Sequence, residues 1–213
     1  MNILDNLDWV AVRRQYDTRT KVNSTLLNLY QQNLVSGFVE LALGVSNPDG
    51  NYSASEHALG PRILLNNMNA ERRVFELAGR FIALPRAVQV PLLIRQAQLQ
   101  YLWIGVGSEL SCMVNPAVCW VANTRTIWTS LVIKHNDNIG RADQELQLYR
   151  DDEAESEMAY KIWTEIHAQL EVALTRIAEQ GTESARKVGV TPGEIIYLWA
   201  DAIASELYDK YQK

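Results

Sequence analysis

Three histidines, His57, His135 and His167, are the residues of this chain best suited to acid–base chemistry or metal binding. None has a second histidine four residues away, a glutamate three residues before it or a Cys-x-x-Cys pair nearby, so the spacing does not match a metal site. Titratable groups cluster outside the predicted helices only at residues 56–57 and 135–137. An enzyme on this scaffold would use His57 or His135, although a solvated loop and an Asx-type turn explain the same residues more simply.

Signatures of common catalytic and nucleotide sites are also missing from the sequence. It contains no GxSxG, no GxGxxG and no GxxxxGK followed by Ser or Thr. We therefore assign no catalytic residue, expect no cofactor and no metal, and place catalysis third among the functional hypotheses.

The two cysteines, Cys112 and Cys119, lie in the most apolar stretch of the chain, residues 101–122. Apolar surroundings raise the pKa of a thiol and make it a poor nucleophile, so we predict two buried, reduced cysteines in a reducing compartment. The stretch also contains Glu109 and Pro116, which disfavour a bilayer span and favour a buried core. The N-terminus has no secretory pattern, and we expect a cytoplasmic protein that does not enter a membrane.

Charge is distributed unevenly along the chain. The net charge is −5, yet residues 61–140 carry eight basic and four acidic side chains, while residues 141–213 carry eight basic and fifteen acidic ones. Arginine binds phosphate or carboxylate through two parallel hydrogen bonds, so the middle segment is a candidate anion-binding or nucleic-acid-binding region. The candidate residues are Arg72, Arg73, Arg80, Arg86, Arg95 and Arg125.

Arg73 and Arg80 lie seven residues apart on a predicted helix and therefore nearly in line. Such a row of guanidinium groups fits a phosphate backbone, as in RNA or DNA. The alternative is that these arginines pair with carboxylates of the same fold, such as Glu76 and residues 153–157. The low isoelectric point, about 5.3, disfavours promiscuous nucleic-acid binding without excluding a narrow groove.

Aromatic usage is skewed toward side chains with a polar handle, since six tryptophans and nine tyrosines stand against three phenylalanines. Tryptophan and tyrosine suit half-buried positions and interfaces. Trp199, Tyr208 and Tyr211, near the C-terminus, are the candidate interface residues for contact with another subunit.

These residues must be positioned by helices, because apolar side chains recur mainly at helical spacing. The strongest pattern predicts an amphipathic helix over residues 153–180 that ends at Gly181. The pattern Thr-Pro-Gly-Glu at 191–194 predicts a capping box that starts the last helix. Gly105 and Gly107 are expected to interrupt the chain.

Upstream, a segment rich in Gly, Ser, Asn and Pro predicts a long surface loop at about residues 44–61. Further helices are predicted near residues 7–16, 22–43, 70–84, 91–103 and 116–132. The fold class is all-α, an irregular bundle of about six to nine helices in a single domain over residues 1–213.

No single motif identifies the function, so we infer it from several features of the sequence taken together. Missing catalytic signatures, abundant Trp and Tyr, and segregated charge favour a non-enzymatic protein that acts by self-association or partner docking, as a homo-oligomer. A nucleic-acid-binding or packaging protein that uses the arginine-rich segment is the alternative.

Overall fold

The computed structural model describes residues 3–149 and 160–212, and within them every regular element is helical. The all-α prediction is confirmed, although eleven α-helices are described where about six to nine were expected. The α-helices are α1 Trp9–Gln31, α2 Val35–Ala42, α3 Tyr52–Glu56, α4 Leu59–Asn66, α5 Ala70–Ile82, α6 Val90–Ala97, α7 Ile104–Val114, α8 Thr124–Lys134, α9 Ile139–Gln147, α10 Tyr160–Lys187 and α11 Ile196–Gln212. Short 3₁₀ helices occur at Ile3–Asn6, Pro48–Gly50 and Ala87–Gln89. In this described part, no helix is both long and apolar enough to cross a membrane.

The chain forms two compact units. Unit 1 comprises Met1–Asp17 and Thr124–Lys213, and unit 2 comprises Thr18–Asn123, so α1 contributes residues to both. That residues 1–213 form a single domain stays a prediction.

The core of unit 2 is built around α7. Ten of its eleven residues are buried, which confirms the prediction that the apolar stretch is core. The expected interruption at Gly105 and Gly107 is wrong, because both lie inside this helix. A Cβ at Gly107 would lie 2.5 Å from Cδ1 of Ile94, so glycine here permits close packing of α6 against α7.

The first helices differ from the predicted pair at 7–16 and 22–43. Helix α1 runs unbroken through residues 17–21, where an ion pair between Arg13 and Asp17 (2.7 Å) spans one helical turn and Arg19 is fully buried. The break falls later, at Asn33, whose φ of 55° is left-handed and separates α1 from α2.

The long surface loop predicted at 44–61 is wrong. This segment contains a 3₁₀ helix, all of α3 and the start of α4. Asn51 is fully buried, and its side-chain amide donates hydrogen bonds to the carbonyls of Ala42 (3.2 Å) and Val106 (3.1 Å). Its Oδ1 accepts a hydrogen bond from the amide of Ala54 (2.9 Å) and so caps α3. Residues typical of loops are also residues typical of helix caps, and here they act as caps.

In unit 1, α10 continues beyond its predicted end to Lys187. A Cβ at Gly181 would lie 2.3 Å from Cδ1 of Ile203, so this glycine allows close approach of α11 instead of terminating α10. The acidic residues 153–157 that were expected to begin this helix lie outside the described residues.

Helix α11 begins at Ile196, and the predicted capping box at 191–194 does not start it. The hydroxyl oxygen of Tyr16 instead accepts hydrogen bonds from the amides of Glu194 (3.0 Å) and Ile195 (3.1 Å). A residue distant in sequence therefore satisfies the amide groups that a local cap would have bound.

The middle helices differ in length from their predictions. Helix α5 matches the predicted 70–84 closely, whereas α6 ends at Ala97 and α8 begins only at Thr124. Pro91 lies in the first turn of α6, as predicted.

Candidate functional site

Two of the predicted arginines lie along the contact between α5 and α6. The guanidinium of Arg73 donates hydrogen bonds to the carbonyls of Ala97 (2.7 Å) and Gln98 (3.1 Å), at the C-terminal end of α6. Arg80 donates a hydrogen bond to Oε1 of Gln96 (2.7 Å). The two side chains therefore follow α6, and Arg73 binds carbonyl groups that a helix end leaves without partners.

Arg72, Arg86 and Arg95 are exposed in the same unit. Arg72 forms an exposed ion pair with Glu76 (2.8 Å), and such a pair on a helix stabilises by only about 0.2–0.5 kcal/mol. Arg86 precedes the 3₁₀ helix Ala87–Gln89, and its side chain forms no ion pair or hydrogen bond within the described residues.

Arg125 belongs to unit 1, whereas the other five candidate arginines belong to unit 2. Its side chain is 10% exposed and lies 3.7 Å from Oδ1 of Asp209 and 6.0 Å from the ring centroid of Tyr208. This burial leaves little of the Arg125 guanidinium accessible to an anion, and the candidate anion-binding role of the six arginines stays a prediction.

Large apolar side chains are exposed beside the α5–α6 arginines. Leu65 and Met68, at the connection between α4 and α5, are 85% and 83% exposed, and Val88 and Leu92 are about half exposed. Nη1 of Arg73 lies 3.5 Å from the carbonyl oxygen of Met68, so the α4–α5 connection is next to the row formed by Arg73 and Arg80. We call this surface the α5–α6 face, and it comprises Leu65, Met68, Arg73, Arg80, Arg86, Val88, Leu92 and Gln96.

The C-terminal aromatic residues are not equivalent. Trp199 is 1% exposed and packs against Trp9 and Tyr16, with ring centroids 5.9 and 5.7 Å apart. Trp199 therefore belongs to the core of unit 1, and its place on an interface stays a prediction. Tyr208 packs edge-on against Trp128 at 5.5 Å and is half-buried, and Tyr211 is exposed.

A groove that the sequence analysis did not anticipate lies between α10 and the start of α11. Its volume is about 270 Å³, and Ile196 and Trp199 form part of its wall. Gly193 lies in the connection between the two helices and also lines the groove, and one face of α10 supplies the rest, with Thr175, Ala178, Glu179, Thr182, Glu183 and Arg186. Helical spacing alone predicts that these six residues share a face. Only the position of α11 turns that face into a groove, which we call the α10–α11 groove.

The histidine cluster at 135–137 connects α8 to α9. Nε2 of His135 lies 2.7 Å from Oε2 of Glu145, and Nζ of Lys134 lies 2.6 Å from Oε1 of the same carboxylate. Burial opposes ionisation of Glu145, but hydrogen bonds from Lys134, Tyr149 and His135 outweigh it and lower the pKa of Glu145 to about 2. A carboxylate held by three donors is a cross-link between helices and is poorly disposed to accept a proton from a substrate.

The other candidate groups for chemistry lie apart. His57 is exposed at the C-terminal end of α3. Both cysteines are buried and unpaired with each other, and burial raises the pKa of Cys119 to about 12. Such a thiol is almost wholly protonated near neutral pH. Within residues 3–149 and 160–212, no group of three His, Cys, Asp or Glu side chains is arranged to hold a metal ion.

A scan against protein-family models, a search of curated proteins and a search of solved structures each found no match to this chain. The two surfaces described above, the α5–α6 face and the α10–α11 groove, therefore carry the argument about function.

Proposed function

We propose that this protein is a non-enzymatic assembly protein that acts by self-association. The observation that supports this most directly is the α5–α6 face, where exposed Leu65 and Met68 lie beside a row of arginines. The centres of protein interfaces are enriched in arginine, methionine and large apolar side chains and depleted of lysine. In unit 2, seven of the eight basic side chains are arginine.

The charge of the two units supports the same proposal. Unit 2 carries eight basic and six acidic side chains, net +2, and unit 1 carries twelve basic and nineteen acidic ones, net −7. Opposite charge favours contact between unit 2 of one copy and unit 1 of another, and it raises the rate of encounter at low salt. A contact between two different surfaces produces rings or filaments.

Nucleic-acid binding is less well supported. Arg73 already binds carbonyl groups of α6, and Arg125 is largely buried in unit 1. The net charge of the whole chain, −5, also disfavours binding of a phosphate backbone.

Sedimentation velocity across a concentration series, at low and high salt, tests the proposal. We expect the mass to exceed the 24.1 kDa of one chain, to rise with concentration and to fall with salt. A mass of one chain under every condition contradicts self-association. Salt-dependent binding of RNA or DNA that is lost in Arg73→Ala with Arg80→Ala would instead support the nucleic-acid alternative.

Single substitutions locate the surface. Leu65→Ser or Met68→Ser should weaken self-association, because each removes apolar area from the α5–α6 face. Leu148→Ser is the matched control, since Leu148 is 76% exposed in unit 1 and lies outside both surfaces. Equal effects of all three would show that general surface hydrophobicity, and not this face, drives association.

A further inference from the structure

The α10–α11 groove presents two carboxylates that have no side-chain partner among the residues that the structure describes. Glu179 and Glu183 lie one helical turn apart on α10, and neither forms an ion pair or hydrogen bond through its side chain within the described residues. Arg186 lies at the end of the same row, so the lining carries net charge −1. A cationic group fits between the two carboxylates if it enters the groove on the side away from Arg186.

The size of the groove indicates a side chain as its occupant. Its volume of about 270 Å³ lies just below the range of roughly 300–1,000 Å³ typical of small-molecule pockets. Ile196 is 51% exposed at its edge and Trp199 forms part of its wall. An arginine matches this lining, because its guanidinium binds carboxylates and its stem packs on apolar surface such as the exposed edge at Ile196.

One arginine of the α5–α6 face is suited to this role. Arg73 and Arg80 each have an intramolecular partner, respectively helix carbonyls and a glutamine, and Arg72, outside this face, pairs with a carboxylate. Arg86 is exposed and has no such partner in the part of the chain that the structure describes. The exposed side chains of Val88 and Leu92 follow it, and they match the exposed apolar edge at Ile196.

We propose that Arg86 of one copy enters the α10–α11 groove of a second copy and is bound there by Glu179 and Glu183. This inference rests on the proposed function, because it identifies the contact through which copies associate. The two copies contribute different surfaces to this contact, so a single contact leaves a free Arg86 on one copy and a free groove on the other. Assembly therefore continues until a ring closes or a filament forms.

Two complementary variants test this arrangement. Arg86→Ala removes the inserted cation but keeps the groove, and Glu179→Lys with Glu183→Lys reverses the charge of the groove but keeps Arg86. We expect each variant alone to associate at least about tenfold more weakly than the natural protein. An equimolar mixture should form dimers and nothing larger, because only one intact contact joins the two variants. Sedimentation velocity separates monomer, dimer and larger species.

Matched controls change charge by the same amount away from both surfaces. Arg141→Ala changes an exposed arginine of α9, and Glu165→Lys with Glu171→Lys changes two exposed glutamates of α10 that lie about 20 and 12 Å along the helix from Glu179. Both controls should associate like the natural protein. Circular dichroism confirms that each variant is folded, and Glu179→Gln with Glu183→Gln gives a milder change if the lysine variant unfolds.

The outcomes separate the two proposals. If the natural protein self-associates and the groove variants associate equally well, Arg86 and the groove are not the contact, while self-association stands. If the variants are weakened alone but the mixture forms no dimer, the head-to-tail pairing is wrong. If the natural protein is monomeric throughout, both the proposed function and this contact are overturned.

Discussion

The two units bury polar groups in different ways. In unit 2, Arg19 and Glu109 are both fully buried and form an ion pair of 2.7 Å. Glu109 also accepts hydrogen bonds from the amides of Tyr52 (2.8 Å) and Ser53 (3.0 Å). Unit 1 also buries charged side chains, such as Arg125 and Asp201, but it contains in addition a buried histidine, His167, and burial lowers the pKa of this histidine to about 3.

This difference determines how each unit responds to a change. A buried ion pair costs little while both charges are present, but removal of one partner leaves the other charge in a medium that cannot solvate it. A buried neutral histidine needs no partner charge, but it resists protonation, so its cost appears when the pH falls. Unit 2 is therefore sensitive to substitution at its ion pair, and unit 1 is sensitive to acid.

The largest expected effect comes from breaking the ion pair of unit 2. Glu109→Ala should lower the free energy of unfolding by about 3–5 kcal/mol, because Arg19 remains buried and charged. Glu76→Ala is the matched control, since it breaks the exposed pair with Arg72 and should cost well under about 1 kcal/mol. Urea unfolding followed by circular dichroism measures both.

The double variant Arg19→Met with Glu109→Gln sharpens this prediction. It removes both charges, so we expect it to cost less than the sum of the two single changes. Equal costs for Glu109→Ala and Glu76→Ala would mean that the buried pair does not distinguish unit 2.

Acid should destabilise unit 1 through His167. In the unfolded chain this histidine takes up a proton as the pH falls below about 6.5, whereas in the fold it does so only near pH 3. The unfolded state therefore binds more protons in this window, and stability should fall by up to about 1.4 kcal/mol per pH unit. His167→Leu should flatten this slope in urea unfolding measured across pH.

Glu145 provides the control for that experiment. The pKa of Glu145 is lowered from 4.5 to about 2, so its stabilising contribution is present above pH 4.5 and is lost as the pH falls toward 2. Glu145→Gln should therefore change the slope only below about pH 4.5. A slope between pH 6.5 and 4.5 that persists in His167→Leu would contradict the assignment to His167.

Glycine substitutions test the helix packing of both units. Their expected effect on stability is of intermediate size. Gly107→Ala in unit 2 and Gly181→Ala in unit 1 each place a Cβ within 2.5 Å of an isoleucine side chain. We expect each to cost about 1–3 kcal/mol from overpacking, despite the better helix propensity of alanine. Gly140→Ala in α9 has no atom closer than 3.7 Å and should be neutral or slightly stabilising. Thermal unfolding ranks the three variants, and an equal melting temperature for all would refute the packing argument.

The smallest expected effect concerns the start of α11 in unit 1. Tyr16→Phe keeps the aromatic contact with Trp199 but removes the hydroxyl oxygen that accepts two amide hydrogen bonds. We expect a loss of about 1 kcal/mol, comparable to the loss of a helix cap. Tyr211→Phe, at an exposed position, should have no measurable effect on urea unfolding. A loss equal to that of Tyr211→Phe would show that the hydroxyl does not cap α11.

The all-α class could be predicted from the sequence, because the spacing of apolar residues along a helix is a local property. The apolar spacing in residues 70–84 predicted α5 within two residues, and the composition of residues 101–122 predicted a buried stretch. The candidate site was predictable only in part. The arginines of the α5–α6 face were chosen as candidates from their spacing and charge, and their role stays a prediction. The α10–α11 groove could not be predicted, because it needs two helices side by side.

The sequence by itself determined which side chains must be buried and that the chain forms helices to bury them, since these depend on residue type and on a period of 3.6 residues. Tertiary structure alone decided the partners. Arg19 meets Glu109 across 90 residues, and Tyr16 caps a helix that begins 180 residues later. The physical reason is that local spacing fixes the face of a helix, whereas a partner is fixed by packing among all the helices of a unit.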